Sequence, residues 1–258
     1  MLVISQRLLV FNTKDIYFCD YPFYIGGCAA ANFVFCKNKV DATGFACKNK
    51  FTAVIDLTKG LDFIWGNIRR RSREYINQAK REGIRVSLNQ HYDEFYRINK
   101  RFHQNKGFGL ILGMDVPTVQ TMKKYATLFT AEYGGEILGG NLYLEDGNNM
   151  TLWHSAFNRL KADKSKAALM GRANRLVYWE AIMYAREKGI KEFDFGGMWP
   201  EEQAAQDQLK YNINSFKLGF GAKVLPCYTY QKVYSHAYRL AQSLNALFSL
   251  RVKKVKEL

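Results

Sequence analysis

A predicted helix start in the second half of the chain carries residue types that bind phosphate. The segment ALMGRANRLVYWEAIMYAREKG is strongly amphipathic and should form a helix that ends at Gly189. Free N–H groups and the positive dipole end attract anions at such a start. The preceding loop adds the charges of Lys161, Lys164 and Lys166. The alternative is a solvated basic loop before a core helix. The candidate donor-binding residues are Gly171, Arg172, Ala173, Asn174 and Arg175.

Three further residues have side chains suited to chemistry or substrate contact. Asp194, in FDFGG, follows a predicted strand, where it either orients an amine or acts as a base, or else caps the Gly-Gly turn. His154, in LWHSAF, is either a proton relay or a satisfied core histidine. Trp199 either forms the wall of a substrate pocket or shapes a loop.

The elements that must position these residues follow a definite order. Leu61 to Glu82 has helical spacing, and IRVSL and HYDEFYRINKRFHQNK predict a strand and a helix. Pro117 marks the first turn of another helix. Three β-like runs separated by Gly- or Asn-containing turns predict an antiparallel meander before the long helix. From residue 84 the predicted order is β-α-α-β-β-β-α-β-α-β, which matches the α+β fold of GNAT acyltransferases, a mixed central sheet flanked by helices.

Two blocks of sequence resemble a more specific family. RLVYWEAIMYAREKGIKEFDFGG, followed by NINSFKLGFGAKV, resembles the C-terminal motif of Fem-type aminoacyltransferases and of the related BioF2-like acyltransferases. The upstream RRRSREYINQAKREGIRV resembles the Arg-rich helix of that family. The resemblance covers about residues 51–230 and is most specific over residues 176–221.

The resemblance implies an acyltransferase that acts on cell-wall or envelope precursors. In well-known members an aminoacyl-tRNA donates an amino acid to the peptide of a peptidoglycan precursor. Lys217 matches the lysine of the family's Phe-Lys pair, which is associated with stabilising negative charge, and Phe216 is the aromatic partner. A lysine beside an ester or thioester carbonyl can stabilise the developing oxyanion. The alternative is a surface lysine at a helix end.

The chain departs from this family at its N-terminus, where classical members carry a whole first domain that holds the acceptor. Residues 1–60 are too short for that domain and are expected to be an incomplete extension or a remnant. Residues 61–232 are the expected acyltransferase domain, and residues 233–258 a basic amphipathic helix. The acyl group and the acceptor therefore stay open.

Composition restricts the partners and the compartment. A net charge of +15 attracts polyanions without selecting among them. The five cysteines are odd in number and contain no CxxC pair, which favours a reducing compartment over a disulfide framework. No secretory signal or membrane-spanning run is recognisable, so a cytoplasmic location is expected, with peripheral contact at the inner face of the membrane as an extension of it. His91, His103 and His236 have no metal-ligand spacing among themselves or with cysteine, and no metal or permanently bound cofactor is expected.

Two surfaces leave the donor and the class of protein open. The Arg-rich helix, with Arg69 and Arg73, favours aminoacyl-tRNA as the donor, whereas the missing first domain favours acyl-CoA. The same helix also fits a non-catalytic RNA-binding module on a GNAT-like scaffold. Residues 233–256 combine an apolar face with a basic end, which suits either packing on protein or docking on an anionic membrane.

Overall fold

A computed structural model of the chain describes residues 1–8, 10–105, 116–158 and 163–244. These residues form two compact units. The first unit contains the described parts of Met1–Lys50, His103–Asp115 and Pro226–Leu258, and the second those of Phe51–Phe102 and Val116–Leu225. Lys161 and the basic end of the tail, residues 251–256, lie outside the described residues.

The first unit contains a sheet built from both ends of the chain. Its strands are β1 (Leu2–Leu8), β2 (Phe11–Tyr17), β3 (Ala30–Cys36) and β10 (Lys223–Val233). β1 and β2 pair antiparallel, β2 and β3 parallel, and β3 and β10 antiparallel. A small core around Ile16, Phe33 and Tyr230 lies against this sheet.

Residues 1–60 are more regular than their sequence pattern predicts. β3 is completed by β10, which comes almost two hundred residues later in the chain, with Phe33 opposite Tyr230. A pairing at that separation leaves no local periodicity in the sequence, so the sequence pattern alone does not predict this sheet. The functional division at residues 60 and 232 stays a prediction.

The second unit contains a mixed sheet in the order β4-β9-β8-β7-β6-β5. The strands are β4 (Ala46–Asp56), β5 (Arg85–Leu88), β6 (Ala126–Tyr133), β7 (Glu136–Glu145), β8 (Asn149–Phe157) and β9 (Glu192–Met198). β8 and β9 are parallel, while the other neighbouring pairs are antiparallel. The predicted meander, β6 to β8, is confirmed.

Helices cover both faces of this sheet, which confirms the α+β prediction. They are α1 (Leu61–Asn67), α2 (Arg70–Arg81), α3 (Tyr92–Asn105), α4 (Val119–Tyr125), α5 (Lys164–Glu187), α6 (Glu201–Ala205) and α7 (Gln208–Leu218). Residues of α1, α2 and α5 share the larger core with Phe193 and Phe195 of β9. Residues of α3 and α4 pack on the opposite face, around Phe95, Met122 and Leu142. None of the helices in the described residues is long and apolar enough to cross a membrane.

The helix predicted from Leu61 to Glu82 is broken in two. Ile68 is extended, with φ −68° and ψ 130°, and the backbone N–H of Arg69 donates to the carbonyl of Gly219 at 2.9 Å. That contact gives the N–H of Arg69 a partner outside the helix, so the helical ladder can restart at α2. Pro117 likewise lies just before the N-cap of α4, Thr118, and not in its first turn.

Candidate active site

The ammonium group of Lys217 is buried at the end of α7. The carboxylate of Asp207 caps the start of this helix by accepting from the N–H groups of Leu209 and Lys210. Lys217 lies in the last turn, and only 8% of its surface is exposed. The interpretation of a surface lysine is therefore wrong. Its Nζ donates to the carbonyl of Gly196 at 3.0 Å and to that of Gly197 at 2.5 Å.

The two carbonyls face Lys217 because β9 contains a bulge. The pairing of β4 with β9 shifts register between Thr52, opposite Gly197, and Val54, opposite Asp194. Gly196 has φ +75°, a left-handed conformation that costs a residue with a Cβ about 1–2 kcal/mol. An extra residue at such a bulge re-aims the neighbouring backbone groups. The DFGG segment therefore presents two backbone carbonyl oxygens to the ammonium of Lys217.

Asp194 holds this bulge from the other side. Its Oδ1 accepts from the backbone N–H of Gly196 at 2.7 Å and from the hydroxyl of Thr52. Asp194 thus caps the Gly-Gly turn, the alternative to orienting an amine or acting as a base. A catalytic role for its carboxylate stays a prediction.

Burial changes the protonation of both charged groups. Desolvation lowers the pKa of Lys217 from 10.5 to about 8, although the nearby negative charge of Asp194 opposes that shift. Desolvation also raises the pKa of Asp194, while the hydrogen bonds from Thr52 and Gly196 oppose the rise. Because a pKa of about 8 lies above neutrality, Lys217 is mainly protonated at neutral pH. It still loses its proton more easily than an exposed lysine does.

The parallel pairing of β8 and β9 ends next to this network. It covers three positions, from Asn149 opposite Glu192 to Thr151 opposite Asp194. β8 then continues to Phe157, with an irregular register at Trp153 in its pairing with β7. In the described residues, the pairing of β8 with β9 does not continue beyond Thr151.

Alternation along the strands places His154 and Asp194 on one face of the sheet. Phe193 and Phe195 lie in the α5 core, so Asp194 between them faces the other way, as does its partner Thr151. His154 pairs with Leu142 of the α3 and α4 core. Its ring lies 5.2 Å from that of Trp153. The proton-relay role of His154 stays a prediction.

The predicted donor-phosphate site, residues 171–175, does not lie at the start of α5. α5 begins at Lys164, where the side chain of Asp163 accepts from the N–H of Lys166, so Gly171 is the eighth residue of the helix. Backbone N–H groups that deep in a helix are used by the helix itself. Residues 163–166 are polar, and the sequence pattern therefore places them in the preceding loop.

The side chains of residues 172 to 175 have contacts of their own. Arg172 Nε donates to Glu82 Oε2 at 2.7 Å, and Ala173 is fully buried. The Oδ1 of Asn174 is buried, and no described residue donates to it. Arg175 Nη1 donates to the carbonyl of Gly171 at 2.9 Å. Their role as ligands of a donor phosphate stays a prediction.

The predicted substrate-binding residues surround the start and end of α7. The ring of Phe216 packs 5.3 Å from Tyr178, and Arg69 Nη1 donates to Ser215 Oγ at 3.0 Å. Arg73 lies half-buried on α2. Trp199 is 42% exposed, and Asn214 holds its backbone through two hydrogen bonds. Trp199 is thus available to a ligand as well as structurally fixed.

Several residues that contact Asp194, Trp199 and Arg69 are not predicted from the sequence. Thr52 reaches Asp194 from a strand 142 residues earlier, and Asn214 and Ser215 act through α7 on Trp199 and Arg69. Thr, Asn and Ser are common surface residues, so their types alone carry no signal. In the described residues, no group of three or more His, Cys, Asp or Glu side chains is arranged to hold a metal ion.

Comparison with known families agrees with this architecture. The family model described as an acetyltransferase (GNAT) domain matches residues 66–207, more than half of the 258 residues. The chain belongs to the GNAT acetyltransferase family. The matched residues include α2, the meander, α5 and β9, so the GNAT domain carries Asp194 and the carbonyls that hold Lys217. No curated protein matches the chain by sequence.

Solved structures with a similar fold include FemX and a putative lysylphosphatidylglycerol synthetase. The crystal structure of FemX is similar with a TM-score of 0.61 at 13% identity, over 93% of this chain and 86% of that one. The C-terminal domain of a putative lysylphosphatidylglycerol synthetase from Agrobacterium fabrum is similar with a TM-score of 0.54 at 14% identity, over 84% and 71%. L-PGS from Bacillus licheniformis gives a TM-score of 0.53 at 14% identity, over 84% and 72%. These likenesses confirm the GNAT-like fold.

Proposed function

We propose that the GNAT domain transfers an acyl or aminoacyl group from a phosphate-containing donor to an amine, with Lys217 as the catalytic residue. The observation that carries this proposal is the buried Lys217 ammonium on the carbonyls of Gly196 and Gly197. A buried lysine that is held mainly protonated is costly to maintain, and its use is to supply a positive hydrogen-bond donor in a dry site. The Fem-type resemblance, in which the matching lysine stabilises negative charge, supports the same role.

The geometry suits direct transfer between two bound substrates. The nitrogen of the acceptor attacks the carbonyl carbon of the donor and forms an amide bond, and the bond to the donor's ester oxygen or thioester sulfur breaks. The amine loses one proton, and the leaving hydroxyl or thiol gains one. Two protons of the Lys217 ammonium are directed at Gly196 and Gly197, and the third is left for the oxyanion that develops on the carbonyl. Asp194 keeps the backbone carbonyls of Gly196 and Gly197 in place.

For the donor, exposed arginines at the start of α2 favour aminoacyl-tRNA over acyl-CoA. Arg69, Arg70 and Arg71 are all exposed, and Arg69 donates to Ser215 of α7. Extended cationic surface is what a long phosphate backbone requires, whereas acyl-CoA presents only a few phosphates. The acceptor is proposed to be an amine of a cell-wall or envelope precursor, by the Fem-type resemblance alone.

Salt dependence of binding distinguishes the two donors. A tRNA complex held by about six phosphate contacts is expected to weaken by about 10³-fold between about 50 and 200 mM salt. A pocket-bound acyl-CoA should weaken far less. Filter binding of charged tRNA and calorimetry with acyl-CoA, each at both salt concentrations, measure this. Binding of uncharged RNA with no transfer from either donor would instead identify a non-catalytic RNA-binding module.

A membrane contact through the end of the chain is the second part of the proposal. Residues 236–244 are helical, and Tyr238 is buried, with its ring 5.2 Å from that of Phe11. Leu240 and Leu244, one helical turn apart, are 67% and 58% exposed. An exposed apolar pair on a helix that leads to a basic sequence is suited to an anionic bilayer surface.

Vesicle sedimentation tests this contact. The double variant Leu240→Lys/Leu244→Lys should lose binding to vesicles that contain phosphatidylglycerol, because charged side chains replace the apolar pair. Gln203→Lys/Gln206→Lys adds the same charge at exposed positions of the second unit and should bind as the wild type does. Equal sedimentation of all three proteins with anionic and neutral vesicles would refute the contact.

A further inference from the structure

The guanidinium of Arg175 is stacked between two aromatic rings, a contact that binding of a donor phosphate does not need. Its central carbon lies 5.0 Å from the centroid of Tyr75 on α2 and 5.0 Å from that of Phe216 on α7. Arg71 lies over the same Tyr75 ring, at 5.4 Å. The four side chains form a cluster in which each cation lies over a ring, and the exposed Arg71 also donates from Nε to the Tyr75 hydroxyl at 3.0 Å. We call it the α2–α7 stack.

Arg175 is the central member of the α2–α7 stack because α5 orients it. Its Nη1 donates to the carbonyl of Gly171, one turn earlier in the same helix, at 2.9 Å. A guanidinium fixed by a hydrogen bond presents flat faces on which aromatic rings can pack, and its central carbon lies 5.0 Å from two ring centroids here. Such contacts contribute most when the cation is shielded from water, as the partly buried Arg175 is.

Phe216 transmits this constraint to the proposed catalytic lysine. Beyond Arg175, its ring contacts Tyr178 at 5.3 Å and Phe220 at 5.4 Å, so it is held on several sides. Lys217 follows it directly in the last turn of α7. A rotation of that turn would carry Nζ away from the two carbonyls of β9, whose positions are set independently by Asp194.

We infer that Arg175 is a positioning residue for Lys217. By clamping Phe216 against α2 and α5, Arg175 sets the orientation of the last turn of α7 and keeps the Lys217 ammonium on the carbonyls of Gly196 and Gly197. The inference deepens the proposed function and rests on it. It also gives Arg175 a role different from the one its position in a basic segment suggests, which is to bind a donor phosphate.

The test uses the pKa of Lys217, which can be measured without any substrate. In full-length protein labelled with ¹³C-lysine, the Arg175→Met variant should show the Lys217 pKa moving up from about 8 toward the ordinary value of 10.5, because a displaced ammonium regains water. The rate of transfer, kcat, should fall by about 10²-fold with KM little changed, the cost of a misplaced catalytic group. Arg186→Met, which removes an exposed guanidinium from the last turn of the same helix, α5, should change neither.

Two further variants separate stacking from charge and from folding. Arg175→Lys keeps the charge but lacks the flat faces, and it should behave as Arg175→Met does. Phe216→Leu keeps apolar volume without the ring, so it should raise the Lys217 pKa even if Arg175→Met does not fold. An unchanged pKa in Arg175→Met and Phe216→Leu would overturn the inference. So would a wild-type pKa with a raised KM in Arg175→Met, which would make Arg175 a phosphate ligand. Absence of transfer by the wild type would refute the proposed function but leave the pKa comparison valid.

Discussion

Replacing Lys217 by methionine is expected to slow acyl transfer by about 10²- to 10³-fold, the usual cost of losing one donor to a developing oxyanion. Methionine fills a similar volume, and removing a buried charge offsets the loss of two hydrogen bonds to Gly196 and Gly197. The fold should therefore survive. Single-turnover assays with the preferred donor, together with a thermal melt, measure the two effects separately.

Lys210 provides the matched control on the same helix. Its Nζ lies over the ring of Trp199 at 4.8 Å, outside the Lys217 network. Lys210→Met removes the same charge from α7 and should leave the transfer rate within about threefold of the wild type, since its partly buried ammonium pairs with Asp207 at the other end of the helix, a kind of ion pair that contributes little. A Lys217→Met enzyme that transfers at the wild-type rate would show that the buried ammonium is only structural.

Substituting Gly196 by alanine should disturb both the fold and the site. A Cβ at φ +75° costs about 1–2 kcal/mol of stability. Relief of that strain requires the bulge to shift, and the carbonyls that receive Lys217 move with it. We expect a lower melting temperature together with about a tenfold or greater loss of transfer rate, as misplacement of catalytic groups produces.

Gly189 separates these two effects. It follows the end of α5 with φ +76°, and a Cβ there would meet nothing within 4 Å. Gly189→Ala carries the same backbone strain at a distance from Lys217, so it should lower the melting temperature without affecting transfer by folded protein. Equal losses of activity in both variants would mean that Gly196 matters only for stability.

The sequence predicts the parts of this molecule whose signals are local. The meander, the end of α5 at Gly189 and the strand that leads into DFGG follow from periodicity and turn residues. The Phe216–Lys217 pair can be found from the family motif, because the residues of that motif lie close together in the sequence of β9 and α7. The family resemblance and the periodicity both concern residues close together in sequence.

Contacts between distant residues account for what the sequence does not predict. The break between α1 and α2 depends on a hydrogen bond from Arg69 to Gly219, and the capping of DFGG depends on Thr52. α5 starts earlier than predicted because Asp163 caps a polar first turn, where hydrophobic periodicity is absent. Arg175 shows the same limit, since basic character suggests phosphate binding and only the structure reveals the two rings.

An NMR titration of Lys217 tests the central claim most directly. In protein labelled with ¹³C-lysine, one side-chain signal, identified by its absence in Lys217→Met, is predicted to titrate with a pKa of about 8. With that pKa, the ammonium donates its hydrogen bonds at neutral pH and is deprotonated as the pH rises through about 8. The rate of the transfer step, which depends on the ammonium, should therefore fall over the same pH range. A Lys217 signal that titrates near 10.5, as an exposed lysine does, would contradict the buried oxyanion donor on which the account rests.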